Sequence, residues 1–348
     1  MEKFDYKDIN IVPAVLSDIE TRHHCNPYTF GCDKVMLPLF AAPMDTVVSM
    51  DNYTTFLYNE IMPCIPRALS TDRKNFGELK KHKASIFLSF GMSNDDFDIM
   101  EEYIKLCNDK CNVLIDVANG HMKKLVRLTQ TLKLQYPDVK VMIGNIANPD
   151  TLLEYGLVKA DFIRVGIGAG NACTTSANVG IHYPMASLIK ECYEVKMRHN
   201  LDIKIVADGG IRNFDDAIKA LSLGADFVMI GSLFNQCIES AGKNYFNGIN
   251  VGRRLGSWLY DHGFNIHKMY RGMSTKGAQR SMGKSILKTS EGITKKQLVK
   301  YRLGDWVDDF ESYLRSAMSY TNAPSLSLFI GKPRVVRITG LARSRFEK

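Results

Sequence analysis

Cys173 stands in GIGAGNACTTSANVG, residues 166 to 180, behind three glycines and ahead of two threonines. A cysteine acts as a nucleophile through its thiolate, which needs a base or positive charge nearby. Gly166, Gly168 and Gly170 permit unusual backbone angles and close approach to a ligand. The carbonyls of such a loop can also ring a monovalent cation. Two later stretches add ligand-holding groups. In ADGGIR, Asp208 can accept hydrogen bonds from ribose hydroxyls, and Gly209 and Gly210 expose backbone N–H groups. In MIGS, Gly231 and Ser232 lead into a helix-like stretch. Together they describe a phosphorylated ligand held under a nucleophilic thiol. The plainer alternative is a small buried cysteine among tight turns.

Other polar groups stand where apolar runs stop. Asp45 in PMDTV and Asp116 in DVANG either face a ligand or cap the next helix. Arg67 in IPRALS can meet a cofactor phosphate, and Glu291 in KTSEG can act as acid or base if brought to the same place.

The elements that must position these groups are legible as short apolar runs: MLPLFAAPM, IMPCIPRA, SIFLSFG, CNVLIDVA, KVMIGN, FIRVGIG, IKIVADGG and FVMIGS. Each suits a strand buried on both faces. Amphipathic stretches lie between them; in HMKKLVRLTQTLKLQ, Leu125, Leu128, Leu132 and Leu134 are expected near one helical face. Strand then helix, eight times, predicts an α/β fold of the (β/α)8 TIM-barrel type, with its site at the C-terminal ends of the strands. Much chain follows the eighth run, so a C-terminal excursion is expected, with a flap over the mouth at about residues 265–305. Arg67 and Ser85 are separated by one helical stretch, so no regulatory domain is inserted there. The whole of 1–348 reads as a single catalytic domain.

Composition narrows the function. The hydrophobic share of 45% and charged share of 24% are ordinary for a globular protein. No signal-peptide pattern or membrane-length apolar run is present, so a cytoplasmic protein with no membrane partner is expected. Eight cysteines are scattered, and only Cys107 and Cys111 lie close, with no second pair or nearby histidine to complete a zinc site. The net charge of +8 is spread out rather than striped, which favours anionic small molecules over nucleic acid.

PMDTV, DVANG, GIGAGNACTT, ADGGIR, MIGS and YRGMS, in this order, resemble the IMP dehydrogenase/GMP reductase family. The resemblance implies a (β/α)8 barrel, a homotetramer, and attack of Cys173 on purine C2 of a nucleoside monophosphate to give a thioimidate. It implies substrate contacts at Asp208, Gly209, Gly210, Gly231, Ser232, Gly272, Met273, Ser274, Lys288, Ser290 and Gly292. It places the cofactor at Arg67, Asp116, Val117, Ala118, Ile167, Gly168, Met273, Lys288, Ser316 and Ser319. A potassium ion would take carbonyls of Gly168, Gly170 and Cys173.

The family carries two reactions, and the resemblance leans to NADPH-dependent deamination of GMP. Residues 274 to 293 contain no tyrosine to partner Arg280 in activating water, and the DVANGH stretch and short flap resemble the reductases. The reductase proton-handling pair maps to Thr175 and Glu291. NAD-dependent oxidation of IMP is the alternative, and a non-catalytic purine-nucleotide-binding relative is another. The chain departs from the family pattern at Ala169, Asn171, Ser176 and Lys288, where proline, serine, a basic residue and arginine are usual.

Overall fold

The computed structural model describes residues 2–32, 34–281 and 289–345. Eight parallel strands close into a barrel: β1 (Leu39–Ala41), β2 (Met62–Ile65), β3 (Phe87–Phe90), β4 (Asn112–Asp116), β5 (Lys140–Ile146), β6 (Phe162–Val165), β7 (Lys204–Asp208) and β8 (Phe227–Ile230). Neighbours in sequence are neighbours in the sheet, and β8 closes on β1 with Val228 opposite Leu39. Every one of the eight apolar runs contributes its strand. The outer helices include α1 (Tyr53–Tyr58), α2 (Asn94–Leu106), α3 (Lys123–Gln135), α4 (Thr151–Leu157), α5 (Met185–Arg198), α6 (Phe214–Ser222) and α7 (Leu303–Tyr320).

The continuous runs conceal a period of two. Leu39 and Ala41, Val113 and Ile115, Ile205 and Ala207 belong to the outer core beneath the helices. Phe40, Leu114, Val206 and Met229 fill the barrel interior. Both faces are apolar, so the alternation is invisible in hydropathy. Four rings from different strands form an interior layer. Phe40 lies 5.6 Å from Phe87 and 4.9 Å from Phe227, and Phe162 lies 5.4 Å from Phe87 and 5.8 Å from Phe227. The barrel axis is therefore packed shut below the mouth.

On α3, Leu125 and Leu132 are buried, whereas Leu134 is 77% exposed. At 100° per residue Leu134 falls opposite Leu125, so it faces solvent and corrects the expected four-leucine face.

After β8 the chain leaves the barrel and builds an antiparallel sheet of β9 (Asn244–Phe246), β10 (Ile249–Val251), β11 (His267–Arg271) and β12 (Thr294–Leu298), ordered β10-β9-β11-β12. This sheet begins before the expected flap. It is rooted by Lys268, whose buried Nζ donates to the carbonyls of Ser240 at 2.6 Å and Gly242 at 3.2 Å. Helix α7 then returns to the barrel, where Trp306 stacks on Phe214 of α6 at 5.1 Å.

Candidate active site

Alternation decides which polar groups enter the barrel. Leu114 points inward, and so does Asp116 two residues on; Val206 is followed by Asp208, and Phe162 by Arg164. These three charges form the layer above the phenylalanines. Arg164, 6% exposed, bonds Asp116 through Nη1 at 2.6 Å and Asp208 Oδ2 through Nη2 at 2.7 Å and Nε at 3.1 Å. Asn145, at the register shift in the β5–β6 pairing between Gly144 and Ile146, donates from Nδ2 to the same Asp208 Oδ2 at 2.7 Å and to the Gly166 carbonyl at 2.8 Å. No bond among the described residues uses Asp208 Oδ1, which leaves it as an acceptor for a ligand hydroxyl.

Arg67, at the end of β2, donates to the Asp116 carbonyl and stands 3.7 Å from its carboxylate. Burial raises the Asp116 carboxyl, but Arg164 and Arg67 overcome it and hold the pKa below the ordinary value. Burial opposes the Arg164 charge in the same way, and the Asp208 and Asp116 carboxylates outweigh it and hold the pKa above the usual one.

The loop after β6 is glycine-rich for a steric reason. A Cβ on Gly166 would lie 2.1 Å from the Asp208 carbonyl, and its φ of 132° is closed to most side chains. Gly209, with φ of 103°, packs less tightly, a Cβ there lying 3.1 Å from Ala169 Cβ and Gly170 N. The loop thereby presses against the end of β7, with Gly210 N–H donating to the Ala169 carbonyl at 3.0 Å.

Cys173 is half-buried at the mouth. Its Sγ donates to Thr175 Oγ1 at 3.2 Å, and Thr175 Oγ1 donates to Glu291 Oε2 at 2.7 Å. Glu291 comes from the excursion, and backbone pairing sets its position. Thr174 N–H donates to the Glu291 carbonyl at 3.0 Å, Ile293 N–H to the Ala172 carbonyl at 3.0 Å, and Cys173 bridges Gly292 in antiparallel fashion. Asp45, expected as a ligand group or a helix cap, instead forms an ion pair with Arg271 at the end of β11 and ties the excursion to the loop after β1.

These elements enclose one cavity of about 790 Å³, within the range of small-molecule sites. Cys173, Thr175, Glu291, Asp208, Gly209, Gly210, Gly231, Ser232, Gly272, Met273 and Ser274 line it. So do Arg67, Asp116, Val117, Ala118, Ile167, Gly168 and Gly170. Ser290 and Gly292 stand behind that lining, with Ser290 Oγ donating to the Gly292 carbonyl at 2.9 Å. Lys288 lies outside the described residues. Ser316 and Ser319 are on α7, away from the cavity, where they bond the Ser312 and Ser316 carbonyls.

Sequence reasoning missed Arg164, Asn145, Tyr270 and Gln279, all of which line the cavity. For Arg164 the signal was present: an arginine two residues after an inward phenylalanine, inside a buried run. Tyr270 also followed an alternation, on β11, where burial pushes its phenol well up and keeps it a neutral donor. Asn171 and Ser176, unusual against the family pattern, both find partners. Asn171 Nδ2 donates to Ser232 Oγ at 3.0 Å, and Ser176 Oγ donates to the Gly168 carbonyl at 3.1 Å.

A closed parallel barrel with a thiol at the mouth, above glycine-bearing loops after β6, β7 and β8, defines a (β/α)8 barrel with a small-molecule-sized site at its mouth, and comparison with known proteins narrows it. The family model of the IMP dehydrogenase / GMP reductase domain matches residues 3–345. The GMP reductase of Caenorhabditis elegans is 29% identical over 353 residues, covering 97% of this chain and 92% of that protein. Human GMP reductase 1 is 28% identical over 350 residues, covering 97% and 95%. The GMP reductase of Shewanella pealeana is 28% identical over 349 residues, with the same coverage. The chain belongs to the IMP dehydrogenase/GMP reductase family.

Proposed function

We propose that this chain is a GMP reductase, an oxidoreductase that converts GMP to IMP and ammonia with NADPH. The observation that carries the reading is the Cys173–Thr175–Glu291 chain, with its 3.2 Å and 2.7 Å links. The reductase names of the relatives support it.

In this reading Thr175 takes the Cys173 proton as its own hydroxyl proton moves to Glu291. The freed thiolate adds to purine C2. Glu291 returns the proton through Thr175 to the departing 2-amino group, which leaves as ammonia. NADPH, when bound, supplies the hydride that C2 then needs. The C2–S bond breaks with its electron pair left on sulfur, and a proton from solvent restores the Cys173 thiol. Asp208 Oδ1 holds the ribose hydroxyls while Arg164 and Asn145 fix the carboxylate that carries it.

The cofactor fits the cavity on the residues present. Beyond Cys173 the cavity continues past Arg67, Val117, Ala118 and Met122, and Arg67 keeps a buried Nε–H without a hydrogen-bond acceptor. Ser316 and Ser319 do not line this chain's cavity, so a cofactor role for them requires a second copy, as in the homotetramer the family resemblance implies. For potassium the fit is incomplete. The Gly168 carbonyl already accepts from Ser176 and the Gly170 carbonyl from Cys173 N–H at 2.9 Å, and no step is routed through a cation. The same reading places the protein in the cytoplasm, in purine nucleotide salvage.

The test follows reduced-cofactor absorbance with GMP plus NADPH and, separately, IMP plus NAD. Loss of NADPH with stoichiometric ammonia is expected, and Cys173→Ala should abolish it while GMP still binds. NADH formation from IMP, without GMP turnover, would replace this reading with the dehydrogenase.

A further inference from the structure

Three carboxylates line the cavity, Asp116, Asp208 and Glu291, and three described cations line it with them, Arg67, Arg164 and Arg212. The first two cations are committed. Arg164 joins both aspartates, and Arg67 lies against Asp116. Arg212 forms no ion pair with any described residue; its backbone N–H is tied to Asp216 at 2.8 Å, but its guanidinium is exposed at the cavity.

Its place in the fold gives that charge a use. Arg212 follows Gly209 and Gly210 on the loop after β7, and Ser232 opens the short helical turn that follows Gly231 after β8. Barrels commonly hold phosphate between these two loops. Two other donors at this end are occupied. Gly210 N–H serves the Ala169 carbonyl, and Asn171 Nδ2 serves Ser232 Oγ. The N-terminus of α6 already faces Asp216, whose Oδ2 accepts from the Arg212 and Asn213 backbone, so its positive end is taken by a carboxylate.

We propose that Arg212 is the specificity residue that pairs with a phosphate monoester dianion on the bound nucleotide. This rests on the reading of the cavity as a purine nucleotide site. Arginine suits the task because its planar donors match phosphate oxygens in pairs. Two sources share that chemistry, the 5′-phosphate of the substrate and the 2′-phosphate of the cofactor; the position between loops seven and eight favours the first.

Direct titration calorimetry on the full chain tests this without requiring turnover, using GMP, guanosine, NADPH and NADH with wild type, Arg212→Gln and Arg212→Lys. Arg212→Gln should weaken GMP by about 10- to 100-fold, the scale of a lost charge-assisted contact, and leave guanosine unchanged. Arg212→Lys should recover part of the loss, and the melting temperature should not move because the guanidinium has no internal partner. A loss confined to NADPH, with NADH and GMP unaffected, would keep the phosphate-monoester assignment and identify the cofactor as its source. Unchanged binding of both phosphorylated ligands would overturn the proposal alone. A wild-type chain that binds no GMP would overturn the functional reading and this proposal with it.

Discussion

On the barrel side of the mouth, Arg164, Asn145 and Asp208 are joined by bonds of 2.7 to 3.1 Å rooted in neighbouring strands. On the excursion side, Glu291 reaches Thr175 through one side-chain bond of 2.7 Å, held in place by backbone pairing to the Cys173 loop. The barrel buries its charges as a compensated cluster. The excursion buries Lys268 on backbone carbonyls instead. Groups assigned to holding the ligand are thus locked into the scaffold, while the group assigned to proton transfer is delivered from the excursion. Substitutions on the two sides should fail in different ways.

The largest effect is expected on the barrel side. Arg164→Leu leaves Asp116 and Asp208 facing one another without their shared cation. Breaking a buried ion cluster in this way costs about 3–5 kcal/mol, so urea denaturation should show a loss of that size and weaker nucleotide binding. A variant as stable as wild type would mean the cluster is solvated rather than locked.

Next comes Glu291→Gln, which keeps size and polarity but removes basicity. GMP deamination should slow by about 10²-fold, the scale of a general acid–base group. Stability should shift by less than about 1 kcal/mol, since one hydrogen bond is at stake. An unchanged single-turnover deamination rate would make Glu291 a bystander.

The most gradual effect, spread along the pH axis, concerns Lys268. Burial pushes its pKa from the ordinary 10.5 down to about 7. Between these values the unfolded chain retains a proton that the native chain has released. Stability therefore rises with pH across this window and flattens above it. The slope attributable to Lys268 is at most ~1.4 kcal/mol per pH unit. Comparing denaturation of wild type and Lys268→Met from pH 7 upward isolates it; parallel curves would show that the carbonyls keep the ammonium charged.

The same division governed what was legible in sequence. All eight barrel strands showed as apolar runs, because burial on both faces leaves a continuous signal. Cys173 and Asp208 were visible because their loops carry glycines that only a close backbone approach explains. Arg164 was hidden in the run it belongs to, since hydropathy averages over a strand and does not report which face a residue occupies. Leu134 was misplaced for a related reason, as spacing along a helix was read without its 100° phase. Glu291 carried no local signal. A glutamate in a loop is ordinarily solvated, and only the family resemblance paired it with Thr175 before the fold placed them in contact.

The layer of Phe40, Phe87, Phe162 and Phe227 has a consequence for traffic. It closes the chamber from below, so a molecule lying against that floor is approachable only from the side of the mouth.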